Sequence, residues 1–350
     1  MTMINILIVD DSPTETAILK CLFQSEADMH IVGCARNGRE AIEMANQLKP
    51  DIITMDIHMP FMDGLEAIKI IMAQCPTPIV VISSKINDTE LNISFHALES
   101  GALSVLAKPQ NLNSAESYES NHVIVQTIRN MAGIKVVRRR LPAKQNNSKP
   151  SVAPKLIQGQ FEIVAIGTSV GGPQALKKIL IDLPASFPVP IVIVQHMAPG
   201  FISGFAQWLD THIALHVKCA EDFEILNAGT VYFAPDQHHL ALRRINGKLA
   251  AHLHQADPIS GFRPSATALL ESTAKMAGEK AVGILLTGMG SDGAQGLLTL
   301  KQMKGLTLIQ DKNSAVVFGM PGVAQALGAV EKVVELEHFA EYLRLLFGGK

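Results

Sequence analysis

The amino-acid sequence predicts two α/β units, each built on a doubly wound, mainly parallel sheet, with an antiparallel hairpin in the second. Short β-rich runs alternate with helically spaced segments twice along the chain, and a basic stretch rich in Pro, Ser, Asn and Gln separates the two series. In the second series Asn246-Gly247 sits between two alternating runs, as the turn of a two-residue hairpin does. With 350 residues, 47% of them hydrophobic and 18% charged, the chain can bury two sizeable cores.

In residues 1–135 the runs INILIVD, MHIVGCA, DIITMD, PIVVIS and ALSVLAK read as five strands. The intervening PTETAILKCLFQS and GREAIEMANQL space their apolar residues as one face of a helix. Residues 136–160, VVRRRLPAKQNNSKPSVAPKLIQGQ, hold few large apolar side chains and read as a linker. Its Arg138-Arg139-Arg140 run suits a solvated helix end, with an acidic partner as the alternative. Residues 161–350 open with strand FEIVAIG, helix GGPQALKKIL and strand VPIVIVQH. The segment TVYFAPDQHHLALRRINGKLAAHLH is expected to form an antiparallel patch that interrupts the parallel sheet.

Charge and cysteine usage narrow the function classes. Residues 1–135 carry 9 basic against 16 acidic side chains, 136–160 carry 6 against none, and 161–350 carry 15 against 16. Neither large portion has a basic footprint, so no nucleic-acid partner is expected. No apolar run is long enough to span a bilayer, and MTMINILIVDDSP lacks the basic start of a signal peptide. Cys21, Cys34, Cys75 and Cys219 lie far apart without a C-x-x-C pair, as free thiols in the cytoplasm do.

In a sheet of order 2-1-3-4-5 the first and third strands are neighbours, and their carboxyl ends share a crevice. Asp10 and Asp11 follow the first strand, Asp56 ends the third, Ser83 the fourth and Lys108 the fifth. Three converging carboxylates repel one another unless a cation sits among them, and Mg2+ suits such hard oxygen ligands. A carboxylate beside that ion can accept a phosphoryl group, because the transfer needs mainly positioning and charge neutralisation. With MDIHMPFMDGL (55–65), VISS (81–84) and Lys108-Pro109, residues 1 to about 135 closely resemble the flavodoxin-like (βα)5 receiver domain of bacterial response regulators. The resemblance implies Asp56 as phosphoacceptor, Asp10 and Asp11 as holders of Mg2+ with it, and Ser83 and Lys108 as sensors of the phosphoryl group. Receivers usually carry an aromatic residue in the fifth strand; here the stretch is Ser104-Val105-Leu106, so a different switch is expected to transmit the signal.

In the second unit Gly167-Thr168-Ser169-Val170-Gly171 fits G-x-S-x-G, a turn that presents a nucleophile; a glycine-rich turn after a strand can also cradle a phosphate. A serine hydroxyl needs a base and a group to orient that base. His196 ends VPIVIVQH as Ser169 ends FEIVAIG, and Asp292 lies in LLTGMGSDG after the strand AVGILLT. If the three strands are parallel neighbours, all three side chains emerge at one carboxyl edge. Singly, each residue has a plainer reading: a helix cap, a strand-end histidine and a turn aspartate.

IGTSVGGPQAL (166–176), VQHMAPGF (194–201), YFAPDQHH (232–239), RPSATALLESTA (263–274) and LTGMGSDGAQGL (286–297) resemble the catalytic domain of the chemotaxis protein-glutamate methylesterases, the CheB family. Fusion to a receiver through a linker is that family's architecture. The resemblance implies Ser169 as nucleophile, His196 as base, Asp292 as its orienter and the Met289 backbone N–H as an oxyanion donor. It implies hydrolysis of γ-glutamyl methyl esters on chemoreceptors, deamidation of receptor glutamines, a chemotaxis histidine kinase as phosphodonor, and no cofactor at the esterase site. An unphosphorylated receiver is expected to block the catalytic edge. The family usually has Thr after the nucleophile, where this chain has Val170. Arg263 has two readings, a contact for acidic receptor side chains or a structural cation near a helix start. The rival function classes are a dinucleotide-binding output domain and a catalytically inactive interaction module. His238-His239 and His252-x-His254 are read as surface or packed histidines in preference to metal ligands.

Overall fold

A computed structural model of the chain describes residues 3–83, 95–109, 115–134, 136 and 161–348, with backbone alone for 115–120. Two units divide after residue 146. Apart from Val136, the expected linker, 136–160, lies outside the described residues, as does the Arg138-Arg139-Arg140 run.

The first unit is a five-stranded parallel sheet of β1 (Ile4–Val9), β2 (Met29–Ala35), β3 (Ile52–Met55), β4 (Ile79–Ser83) and β5 (Ser104–Ala107). Its order is β2-β1-β3-β4-β5, as expected from the sequence. Ile6 to Val9 and Ile52 to Met55 are buried without alternation, because helices cover both faces of a parallel sheet. Three helix starts are capped by a short polar side chain that accepts an otherwise unpaired N–H. Ser12 Oγ accepts from Glu15 N at 3.4 Å before helix Pro13–Gln24, and Asn37 Oδ1 from Glu40 N at 3.0 Å before Gly38–Leu48. Asp63 Oδ1 accepts from Glu66 N at 2.8 Å before Gly64–Gln74. A helical stretch covers 95–100, and helix Ala115–Met131 ends the series.

The loop after β3 returns so tightly that Gly64 lies against the strand end it leaves. Its N–H donates to the Ile57 carbonyl at 2.9 Å, and a Cβ there would stand 2.1 Å from the Asp56 carbonyl oxygen. Only glycine fits that approach.

The second unit holds seven parallel strands in the order β14-β13-β12-β6-β7-β9-β8. They are β6 (Ile163–Thr168), β7 (Ile191–Gln195), β8 (His216–Cys219), β9 (Thr230–Phe233), β12 (Ala281–Leu285), β13 (Leu306–Gln310) and β14 (Lys332–Val334). The antiparallel pair, β10 (His239–Ile245) and β11 (Lys248–His254), turns at Asn246-Gly247, whose φ angles of 49° and 80° suit a type I′ turn. The expected patch does not interrupt the parallel sheet. β10 and β11 form a separate two-stranded sheet, and the TVYF run grouped with them pairs in parallel with β7 and β8. The reason is register: Thr230–Phe233 is buried throughout, whereas β10 and β11 each bury only part of their length. Helix Ala266–Ala277 packs its Leu269, Leu270 and Ala274 into the core shared by this sheet and the hairpin.

Gly64→Ala is expected to destabilise the first unit by about 2 kcal/mol or more, since overpacking against backbone has no flexible neighbour to yield. Thermal unfolding of the full chain checks this; a melting profile unchanged from wild type would contradict the close approach.

Candidate functional site

β6 lies between β12 and β7, so the loops that follow these three strands open on the same edge. Ser169 follows β6, half-buried. It does not cap the next helix, Gly172–Leu180; Gly171, at φ 75°, holds that position. The Ser169 backbone is fixed on two sides: its N–H donates to the Thr287 carbonyl at 3.0 Å, and Gln195 Nε2 donates to its carbonyl at 2.9 Å. Gln195 Nε2 also donates to the His196 carbonyl at 2.7 Å, so one amide staples the ends of β6 and β7.

His196 Nε2 lies 2.9 Å from Asp292 Oδ2. An ionised carboxylate can only accept, so Nε2 carries the proton, and Nδ1 is the nitrogen left with a lone pair. Nδ1 is buried and without a hydrogen-bond partner. One face of the ring is covered by Phe262, with centroids 3.9 Å apart and planes 1° from parallel.

Asp292 is wholly buried. Besides His196, Oδ2 accepts from Ala266 N at 2.7 Å. Oδ1 accepts from Ser265 Oγ at 2.7 Å, Thr267 N at 3.1 Å and Gly293 N at 3.0 Å. Ala266 and Thr267 open helix Ala266–Ala277, so the carboxylate sits at the positive end of that helix. Burial alone would raise the Asp292 carboxyl; the His196 bond and the donors from Ser265 and Thr267 outweigh it and lower it to about 2. Ser265 also caps the helix, its Oγ accepting from Thr267 N at 3.1 Å. The Ser265 N–H donates to His239 Nδ1 at 3.2 Å, and the opposite ring nitrogen meets the Asp257 carbonyl at 3.1 Å. His239 is thus a buried strut, one of the two readings given for it.

Gly288 presses against the nucleophile candidate: a Cβ there would stand 2.9 Å from Ser169 Cβ. Its carbonyl accepts from Gly319 N at 3.0 Å and Met320 N at 2.9 Å. Because a trans peptide points its C=O and N–H in opposite directions, the Met289 N–H faces away from residues 319–320. Val170 is buried, and its carbonyl accepts from Thr287 Oγ1 at 2.8 Å. Arg263 donates to the carbonyls of Gln255 and Ala256 at 3.4 and 3.2 Å and to Gln237 Oε1 at 3.2 Å. These bonds tie the guanidinium to its own unit, while Nε is buried without a partner.

In the first unit, oxygens of Asp10, Asp11 and Asp56 lie within 4.8 Å of one another. Lys108 Nζ bridges Asp10 Oδ2 at 2.8 Å and Asp56 Oδ2 at 2.9 Å. Burial pushes the Asp10 carboxyl up despite that ion pair. Burial would lower the Lys108 ammonium, but its two carboxylate partners hold it above its ordinary value. Ser83 Oγ is buried and has no partner among the described residues. Convergent hard oxygens, a movable ammonium and an unpaired hydroxyl fit a divalent cation beside an added phosphoryl group. Val105, where an aromatic was expected by analogy, is buried. Among the described residues no second cluster of His, Cys, Asp or Glu converges in this way, and His252 pairs instead with Asp222 at 3.3 Å.

A family model described as CheB methylesterase matches residues 164–343, and one described as response regulator receiver domain matches 6–117. The chain belongs to the CheB methylesterase family. It is 40% identical over 347 residues, 98% of either chain, to protein-glutamate methylesterase/protein-glutamine glutaminase 2 of Methanospirillum hungatei. It is 43% identical to the Myxococcus xanthus protein of that name numbered 4, over 99% of this chain and 98% of that one. The solved catalytic domain of Thermotoga maritima CheB methylesterase matches 52% of this chain and 97% of its own length, at 41% identity and a TM-score of 0.51. The family does not favour a dinucleotide-binding or inactive output domain. No helix among the described residues is long and apolar enough to cross a membrane.

The sequence reading missed Ser265, Gln195 and Phe262 as parts of this site. Ser265 was legible as a cap before an apolar helix, but its bond to Asp292 joins residues 27 apart. Neither Gln195 nor Phe262 carries a local signal.

Asp292 gives a stability prediction with a definite sign. Its folded-state value lies below the ordinary 3.8, so its contribution is complete above about pH 4 and is lost as pH falls through about 2. That contribution is of order 2 kcal/mol. Asp292→Asn should therefore unfold in less urea than wild type at pH 7, with the gap narrowing as pH approaches 2. A gap that stays constant with pH would contradict the ionised, multiply bonded carboxylate.

Proposed function

We propose that this protein hydrolyses γ-glutamyl methyl esters on the cytoplasmic helices of chemoreceptors, deamidates receptor glutamines at the same site, and is switched by phosphorylation of Asp56. Residues 1–135 are the receiver, 136–160 the linker and 161–350 the catalytic domain. The observation that carries this reading is the His196–Asp292 bond beside Ser169, with His196 Nδ1 buried and unpaired. It is supported by membership of the methylesterase family.

In the proposed reaction Ser169 Oγ attacks the ester carbonyl while its proton passes to His196 Nδ1. Asp292 keeps Nε2 protonated and stabilises the imidazolium that results. The Met289 N–H donates to the oxyanion, where a preorganised donor is worth most. Collapse breaks the carbon–methoxy bond, and Nδ1 returns the proton to release methanol. Water, deprotonated by Nδ1, then attacks the acyl-serine; the Ser169 ester bond breaks, Oγ recovers a proton, and glutamate is left. With glutamine the leaving group is ammonia and the steps are the same.

In the receiver, Asp10, Asp11 and Asp56 would hold Mg2+, which neutralises charge around the transferring phosphoryl group when bound. Asp56 Oδ2 accepts the phosphoryl group from the chemotaxis histidine kinase. Lys108 then moves from Asp56 to a phosphoryl oxygen and Ser83 donates to another. The enzyme acts in the cytoplasm, where its substrate helices lie.

Methanol release from methylated receptor membranes tests this, with and without Mg2+ and a small phosphodonor. Wild type should release methanol, faster with both additions. Ser169→Ala should lose at least about 10³-fold in rate, and Asp56→Asn should keep the unstimulated rate and lose the stimulation. Equal release from wild type and Ser169→Ala would refute the nucleophile.

A further inference from the structure

Among the described residues Phe262 is the aromatic side chain stacked on the proposed base, and the fold holds it there from both sides. Ile259 and Phe262 exchange backbone hydrogen bonds at 3.1 and 2.9 Å. Between them Ser260 and Gly261 adopt φ 54° and 82°, the left-handed pair that a type I′ turn requires. On the other side Arg263 is pinned to the 255–256 carbonyls, and Ser265 is bonded to Asp292. The phenyl ring is therefore delivered to His196 by the same short segment that anchors Asp292.

The stack has an informative geometry. Two neutral aromatic rings prefer offset or edge-to-face packing and gain only a modest attraction from it. A cation over the same face is attracted. Parallel planes with centroids 3.9 Å apart thus suit an imidazolium better than an imidazole. In the proposed reaction the imidazolium exists only once the Ser169 proton has been taken, so the contact strengthens as the barrier is climbed. The ring plane matters as well. One hydrogen bond from Nε2 to Asp292 leaves the imidazole free to rock about that bond, and a parallel phenyl face restricts this.

We propose that Phe262 is a positioning residue for acyl transfer: it holds the His196 ring with Nδ1 turned to Ser169 and stabilises the protonated ring through its π face. This rests on the reading of His196 as the base. It makes Phe262 a determinant of kcat without a direct contact to substrate.

The test uses the full chain with Phe262→Leu, which keeps apolar bulk but has no π face, Phe262→Tyr, which keeps both, and His196→Ala. Three quantities are measured: kcat and KM for methanol release, the rate of Ser169 modification by a sulfonyl fluoride, and the proton shifts of the His196 ring. Leu should lower kcat and the modification rate by about 5- to 30-fold, the range a cation–π contact implies. KM and melting temperature should stay unchanged, and the ring protons should move downfield as the stacked phenyl is lost. Tyr should restore both rates to within about twofold. Wild-type kcat in the Leu variant, or equal losses in Leu and Tyr, would overturn the proposal; so would a rise in KM at constant kcat, which marks a substrate contact. Modification at the wild-type rate in His196→Ala would overturn the base itself and Phe262 with it. A dead His196→Ala beside an unimpaired Leu variant would overturn Phe262 alone.

Discussion

The catalytic unit depends on one buried charge. Asp292 has no exposure to water, and an unpaired carboxylate there would be untenable. Five donors offset the loss of hydration, and three of them are backbone N–H groups, two at the start of helix Ala266–Ala277 and one at Gly293. Those two helix donors lack intrahelical partners in any helix, so the carboxylate and the helix end satisfy one another. The Ser265 hydroxyl gives one bond to Asp292 and accepts one from Thr267, which fixes its rotor. Four donors anchor the carboxylate, and the fifth, His196, is thereby oriented.

The receiver site solves the opposite problem. Asp292 is held ionised by fixed donors, whereas Asp10 and Asp56 share a single ammonium, that of Lys108. A fixed solution suits a group that must stay ionised through every turnover. A single ammonium suits the proposed phosphoacceptor, because the flexible lysine stem lets the charge follow an added phosphoryl group. The close approach of Gly64 to the Asp56 carbonyl packs the backbone of that strand end tightly.

Much of this was legible in the sequence because strand ends in a parallel sheet are one-dimensional information. A run such as FEIVAIG or VPIVIVQH announces both the strand and the residue at its carboxyl end, and the order of a doubly wound sheet decides which ends are neighbours. Ser169, His196 and Asp292 were singled out that way, as were Asp10, Asp56 and Lys108. TVYF was misgrouped because a short apolar run does not state whether its partner is parallel. Gln195, Phe262 and the bond from Ser265 to Asp292 stayed hidden for a related reason. Each depends on where a side chain points after a turn, and sequence periodicity carries no information on that.

The strand order also accommodates the proposed relay in the chain order Ser169, His196, Asp292. With β6 central and β7 and β12 on either side, the loops bearing His196 and Asp292 approach the serine from opposite flanks. His196 turns Nε2 to Asp292 and leaves Nδ1 without a partner, as the proposed attack by Ser169 requires. Nδ1 is the ring nitrogen nearer the backbone, so its position follows the end of β7 closely, and Gln195 ties that end to the carbonyl of Ser169. The separation of Ser169 and His196, the proposed nucleophile and base, thus follows the pairing of β6 with β7. The orientation of the ring, which strand pairing cannot set, is governed by Asp292 at one edge and Phe262 on one face. Phe262 comes from the segment that leads into helix Ala266–Ala277, and the start of that helix anchors Asp292, so one segment bears on both.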